Sequence, residues 1–241
     1  LSNGSLVGVA ADARSGLIYV TDPAQDKVHI LSGTEVITDI AVRYDPRAVA
    51  VDPSWGYAYV EARVGTSQVL QIIQGIHLLT ETIDLGQYWW VASMVPSTGG
   101  YLYVHKLVGS PTSSPSDRVV LVRGKGKVGE WSFPQATHFT WMEPHPSKGY
   151  LYLGHAGYGS LVSIGVGASL AYSMTVGDGS WVRAIAVDAE TGRVYAATDH
   201  AIAILEEYLP YQFYFPVLLK NWAGNSSQTE VLSYPTHQPY P

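Results

Sequence analysis

Five copies of one strand–turn–strand pattern, only 14% charged residues and no sustained helical period predict an all-β chain. The predicted architecture is a five-bladed β-propeller of four-stranded antiparallel blades, plus an extended C-terminal tail. The pattern is a short apolar run, a turn holding Asp, Pro or Gly, and a second apolar run centred on Tyr. Its copies read VGVAADARSGLIYV, AVAVDPSWGYAYV, VASMVPSTGGYLYV, FTWMEPHPSKGYLYL and IAVDAETGRVYA. The anchor tyrosines are Tyr19, Tyr59, Tyr103, Tyr152 and Tyr195, at spacings of 40, 44, 49 and 43 residues. Few segments hold a 3.6-residue period for ten residues, so a helical reading fails.

The continuation of each copy supplies the other two strands. Blade 1 (about 6–43) runs on through KVHILSG and EVITDIAV, and blade 2 (about 46–86) through SQVLQIIQG and HLLTETIDL. Blade 3 (about 89–134) has DRVVLVRG and KVGEWSFP, and blade 4 (about 138–177) has SLVSIGVG and SLAYSMTVG. Blade 5 (about 181–217) has AIAILEE and YQFYFPVLLK, with Pro216 suited to an outer edge because it cannot donate to a ladder. A single blade leaves both faces wet, and stacking around an axis buries them. Small residues (Ala10, Ala50, Ala184, Ala186) on the innermost strands suit the crowding near that axis. The runner-up to a closed ring is an incomplete one finished by a partner chain.

The propeller domain is placed at 1–220 and the tail at 221–241. The tail, NWAGNSSQTEVLSYPTHQPYP, is polar and proline-containing, so on its own it lacks the apolar content to order. It is expected to dock on its own propeller or to reach a neighbouring subunit as an added strand. Trp222, Val231, Leu232, Tyr234 and Tyr240 are its candidate assembly residues.

The repeats resemble YVTN-type repeats, relatives of the NHL and streptogramin-lyase-like propellers. The resemblance rests on AVAVDPSWGYAYV and GLIYVTDPAQDKVHIL, where Tyr19, Val20, Thr21 and Asp22 stand in order, and extends over residues 6–216. Blades 3 and 4 depart from it, with Val95 and His145 in place of the strand-end Asp and a longer loop in blade 3. The resemblance implies a fold that hosts binding, scaffolding and a few lyase activities. The string YFPVLLKN also resembles a short C-terminal element of some secreted bacterial surface proteins.

Composition narrows the function classes. The chain of 241 residues carries 14 basic and 20 acidic side chains, a formal charge of -6, which disfavours nucleic-acid binding. No apolar run is long enough for a transmembrane helix. Zero cysteines exclude disulfides and thiolate metal sites. Residue 1 is Leu, which a removed secretory leader would explain, and a secreted or cell-surface location is expected. Asn3 and Asn225 begin N-x-S/T triplets, which arise readily by chance.

The candidate chemistry is sparse. GKGKVG (124–129) fits the dinucleotide pattern G-x-G-x-x-G, but EWSFP follows where a helix is required, so a hairpin turn is expected. His105, His138, His145 and His155 have no compact ligand spacing, with His145 and His155 placed in turns at opposite ends of one strand. They read as solvent-facing or hydrogen-bonded, and no metal or cofactor is expected. Asp12, Asp52 and Asp188 read as turn residues, and Asp22 and Asp199 likewise. The 108–117 stretch, VGSPTSSPSD, reads as a surface loop.

One ring of positions points to function. Aligning the blades at the start of the innermost strand gives Val7, Arg47, Trp90, Thr140 and Arg183 around one mouth of the central channel. Arg47, Trp90, Thr140 and Arg183 could hold an anion or a sugar there, or simply plug the channel. The leading expectation is a non-enzymatic, exported, self-associating structural protein. The alternative is a ligand-binding module at the channel mouth, and a lyase or hydrolase ranks third.

Overall fold

The computed structural model describes residues 6–87, 90–109, 116–133, 138–147, 149–156, 161–166, 169–176, 180–205, 217–223 and 226–232; at 90, 138, 140, 156, 161–166, 169–173, 217–223 and 226–232 it describes backbone alone. Every regular element among these residues is a strand. The chain divides into two compact units, the first centred on Leu1–Ala136 and the second on residues from Thr137 to the C-terminus.

The first unit holds three antiparallel sheets, each a four-strand meander. The first comprises β1 (Val9–Asp12), β2 (Leu17–Asp22), β3 (Lys27–Ser32) and β4 (Glu35–Ala41). The second comprises β5 (Val49–Asp52), β6 (Tyr57–Val64), β7 (Ser67–Gln74) and β8 (His77–Gly86). The third comprises β9 (Trp90–Pro96), β10 (Tyr101–Val108), β11 (Ser116–Arg123) and β12 (Gly126–Ser132). The first strands β1, β5 and β9 are neighbours in that order.

The second unit continues the pattern. Its four-stranded sheet comprises β13 (His138–Pro144), β14 (Tyr150–Ala156), β15 (Leu161–Val166) and β16 (Ser169–Thr175). A three-stranded sheet follows with β17 (Ala184–Val187), β18 (Val194–Ala197) and β19 (Ile202–Leu205). β20 (Val217–Ala223) runs beside β19 and pairs antiparallel with β21 (Ser226–Leu232). The strand that accompanies β19 thus begins after Pro216 and continues past Lys220.

The turns explain the recurring aspartates. Asp12 Oδ1 accepts the Arg14 N–H (3.0 Å) and its Oδ2 accepts the Ser15 hydroxyl (2.6 Å). Asp52 Oδ1 accepts the Ser54 N–H (2.7 Å), and Asp188 repeats the arrangement with Glu190 (2.9 Å) and Thr191 (2.6 Å). A carboxylate that satisfies the first N–H groups of a reverse turn fixes the hairpin. Gly56 closes the Asp52 turn at a φ of 67°, a conformation that an L side chain rarely adopts. In the third sheet Ser97, not Val95, stands at the start of this turn, since its N–H donates to Tyr101 O (2.8 Å).

Successive sheets bury one another's faces. Tyr19, Val28 and Ile30 of the first sheet form one cluster with Val51, Ala58, Val60 and Ile73 of the second. Tyr59, Leu70 and Ile72 of the second form the next with Leu102, Val104, Val120 and Val122 of the third. In the second unit, Tyr152 and Met174 pack with Ile185, Val194, Ala196 and Leu205. Each large side chain so buried is worth about 1.5–3 kcal/mol. Alternation along a strand gives both faces an apolar row, which explains the nearly continuous apolar runs.

The anchor tyrosines add a directional tie. Tyr19 donates its hydroxyl to Gly75 O in the second sheet (3.0 Å), and Tyr59 donates to Gly124 O in the third (2.7 Å). Trp55 lies against the same turns, donating Nε1–H to Gly100 O (3.2 Å) and stacking on Tyr57 at a centroid distance of 6.3 Å. Gly124 opens the β11–β12 turn within GKGKVG, which a strand follows.

Candidate functional site

An open cleft of about 670 Å³ lies in the first unit, where the chain enters β1, β5 and β9. That is the size of a small-molecule pocket. Val7, Gly8, Val9, Ala48, Val49, Val91, Ala92 and Met94 form its walls, and Asp45, Arg47, Glu61, Arg63 and Gln68 supply its polar groups.

Local geometry fixes these groups. Asp45 takes a φ of 55°, which its short polar side chain tolerates, and its N–H donates to Asp26 Oδ1 (2.9 Å). This bend brings the Asp45 carboxylate to Arg47, whose Nε donates to both carboxylate oxygens (3.1 and 3.0 Å). Thr21, fully buried, donates its hydroxyl to Arg47 O (2.7 Å) and accepts the Gly8 N–H (2.8 Å). A Cβ on Gly8 would lie 2.3 Å from Arg47 O, so the two segments approach this closely only because residue 8 is glycine.

β6 and β7 complete the polar set. Glu61 is buried, and its Oε2 accepts the Ala48 N–H (3.4 Å). Arg63 lies two residues further along β6, on the same face as Glu61, and directly opposite Gln68 of β7. Gln68 is only 7% exposed. Among the described residues, the Nη nitrogens of Arg47, the Arg63 guanidinium and the Gln68 amide have no hydrogen-bond partner. The cleft therefore presents several unsatisfied donors against apolar walls.

The four residues expected at the channel mouth fare differently. Arg47 lines the cleft. Trp90 begins β9 opposite Leu107, and Thr140 falls at a register irregularity of β13; both side chains lie outside the described residues. Arg183 belongs to the second unit, where its Nε donates to Asp199 Oδ1 (2.6 Å) and its guanidinium covers the Trp181 ring at 4.9 Å. Hydrogen bonding to Arg183 holds the Asp199 carboxyl below its usual range. Asp199 is thus an ion-pair partner rather than a turn cap, whereas Asp22 does cap its turn, accepting the Ala24 N–H (3.0 Å). Of the tail residues, Trp222 sits in β20 opposite Ser227, and Val231 and Leu232 sit in β21 opposite Leu218 and Val217. Their side chains lie outside the described residues, as do Tyr234 and Tyr240 entirely.

Of the histidines singled out in the sequence, His105, His145 and His155 are buried. His105 and Asp117 form a buried pair (Nε2 to Oδ1, 2.5 Å), and His145 and His155 are each 1% exposed. His155 lies within β14 rather than in a turn, edge-on to Phe139 at 4.6 Å. His138 falls in β13, its side chain outside the described residues. His29, on β3, bridges Asp39 (2.7 Å) and Asp22 (3.4 Å). Near it in type, Lys106 donates to Leu85 O (2.6 Å) and pairs with Glu130 (3.1 Å). Burial pushes the Glu130 carboxyl up, but hydrogen bonds from Lys127, Arg118 and Lys106 outweigh it and hold the pKa at about 2.

Glu61, Arg63 and Gln68 were not singled out by sequence. A signal existed: in YAYVEARV, two charges stand at alternate positions of an otherwise apolar strand, where a sheet face should be dry.

No model of a known protein family matches the sequence, and no curated protein matches it. Solved structures do. The β-propeller domain of Swd1 from Myceliophteria thermophila is 11% identical, covers 95% of this chain and 74% of its own, and gives a TM-score of 0.59. A protein from Lactobacillus plantarum is 13% identical over 97% of this chain and 85% of its own, with a TM-score of 0.59. A functionally unknown protein from Desulfotomaculum acetoxidans is 12% identical over 96% and 70%, with a TM-score of 0.56. At such identities the likeness shows the fold alone: the chain is an all-β protein of the β-propeller fold, built from five successive blades. No helix among the described residues is long and apolar enough to cross a membrane.

Proposed function

We propose that this chain is a non-enzymatic, exported β-propeller that binds a small molecule in the cleft of its first unit. The observation that carries the reading is the coexistence of donors without protein partners and apolar walls in one pocket of ligand size. The Tyr19–Asp22 stretch and the repeat pattern support placing the chain near the YVTN and NHL propellers, which include binding modules.

The test uses the intact chain and an Ala92→Trp variant, which fills the cleft from its exposed wall. A library of small fragments is screened against both by saturation-transfer NMR. Fragments that bind the wild type and are lost from the variant are expected. If no fragment distinguishes the two proteins, the cleft is not the ligand site.

A second reading is favoured by one observation. β21 pairs with β20, and its other edge has no strand partner among the described residues. Such an edge can take a strand from a second copy, giving a self-associating surface protein. Light scattering on the intact chain and on one ending at Ala223 tests it. Equal monomeric masses for both would remove the idea.

A further inference from the structure

We infer that the cleft takes a singly charged carboxylate carried on an apolar body, an inference that rests on the cleft being the ligand site. The donors come first. Arg63 and Gln68 face each other across the β6–β7 ladder, a placement that sets their Cβ atoms about 5 Å apart. Arg63 offers a planar fork that matches the two oxygens of a carboxylate. Gln68 is 7% exposed, lines the cleft, and has no side-chain hydrogen bond among the described residues. Its amide is a second donor, held by a largely buried side chain at the cleft wall, and the Nη groups of Arg47 are a third.

Charge sets the valence. Asp45 already balances Arg47 through Nε, and Glu61 is a buried carboxylate with bonds of its own. Arg63 remains as the one guanidinium of the cleft with no carboxylate at salt-bridge distance among the described residues. A single negative charge completes it. A phosphate dianion would bring a second charge beside Asp45 and Glu61 and would lose its hydration against apolar walls. A neutral ligand would cover Arg63 without pairing it, and a cation would face two guanidiniums.

The walls set the rest of the molecule. Val7 and Val9 are 54% and 69% exposed and offer an apolar surface to the cleft, beside Met94, which is partly buried against the second and third sheets. A hydrocarbon chain or ring attached to the carboxylate would remove that surface from water.

Octanoate, octanamide and inorganic phosphate are the probes, titrated into the 15N-labelled intact chain and followed by amide chemical shifts. Octanoate is expected to move resonances of β5, β6, β7 and β9, and to bind at least about tenfold more tightly than octanamide. Phosphate should leave those resonances in place. Arg63→Met should weaken octanoate by about tenfold or more, with octanamide unchanged, and Gln68→Leu should act in the same direction. Arg63 is exposed, so Arg63→Gln serves as a second variant if the first perturbs the fold. Octanamide binding as tightly as octanoate, phosphate displacing octanoate, or octanoate shifting only residues outside the cleft would each overturn the carboxylate assignment. In those cases fragments lost on Ala92→Trp would still uphold the cleft itself; their absence overturns both.

Discussion

Tyr59→Phe isolates the hydroxyl that ties the second sheet to the third. Tyr59 is fully buried, and its hydroxyl meets Gly124 O at 2.7 Å in a dry environment. The substitution keeps the ring and removes one donor. A neutral hydrogen bond contributes about 0.5–1.5 kcal/mol net, and a buried carbonyl left unpaired costs about 1–3 kcal/mol. Tyr59→Phe is therefore expected to destabilise by about 1–3 kcal/mol. Tyr19→Phe removes a longer bond (3.0 Å) from a partly buried place where water can substitute, so its cost should fall near the lower end. Tyr44→Phe is the control, since Tyr44 is 71% exposed. Urea unfolding followed by tryptophan fluorescence gives the midpoints, with the slope unchanged if only stability shifts. Burial pushes the Tyr59 phenol well above its usual pKa, so it stays a donor and the ranking should hold from pH 6 to 9. A Tyr59→Phe protein no less stable than the Tyr44→Phe control would refute the reasoning.

Thr21→Val keeps shape but strands the Gly8 N–H and Arg47 O, so a loss of about 1–3 kcal/mol is expected in the same urea assay, together with weaker octanoate binding as Arg47 loosens. Glu130→Gln tests the pH linkage. The folded carboxyl sits at about 2 against an ordinary 4.5, so its stabilisation is complete above about pH 5 and is lost as the pH falls towards 2. The wild type should exceed the variant in urea midpoint at pH 7, with the gap narrowing below about pH 4.5 and closing only near pH 2, and a gap that stays constant would contradict the Lys106–Arg118–Lys127 arrangement.

The blades were legible because their physics is local and repeated. A carboxylate at the end of one strand and a left-handed glycine four residues on make a hairpin whatever lies elsewhere, as at Asp52 and Gly56. A tyrosine flanked by β-branched residues then reads as a strand. The third sheet was harder, because the position equivalent to Asp52 is Ser97, which brings no carboxylate to mark the turn, and spacing alone slid the alignment to Val95.

The site was legible only in part. Arg47 was found because it precedes a strand that the repeat locates. Arg63 and Gln68 come together through β6–β7 pairing, and their closeness depends on register that the repeat does not specify. Arg47 and Arg183 looked equivalent in sequence, yet each finds its own acid: Asp45, two residues before Arg47, and Asp199, sixteen residues after Arg183. The histidines read as solvent-facing or hydrogen-bonded, and which of the two holds, as for His105 with Asp117, depends on pairing that the sequence does not specify.

The most direct check is a crystal structure of the intact protein soaked with octanoate. The carboxylate should lie within hydrogen-bond distance of the Arg63 guanidinium and the Gln68 Nε2, with its hydrocarbon chain along Val7, Val9 and Met94. Octanoate bound at another surface, or a cleft in which Gln68 and Arg63 turn to pair with the protein itself, would contradict the account.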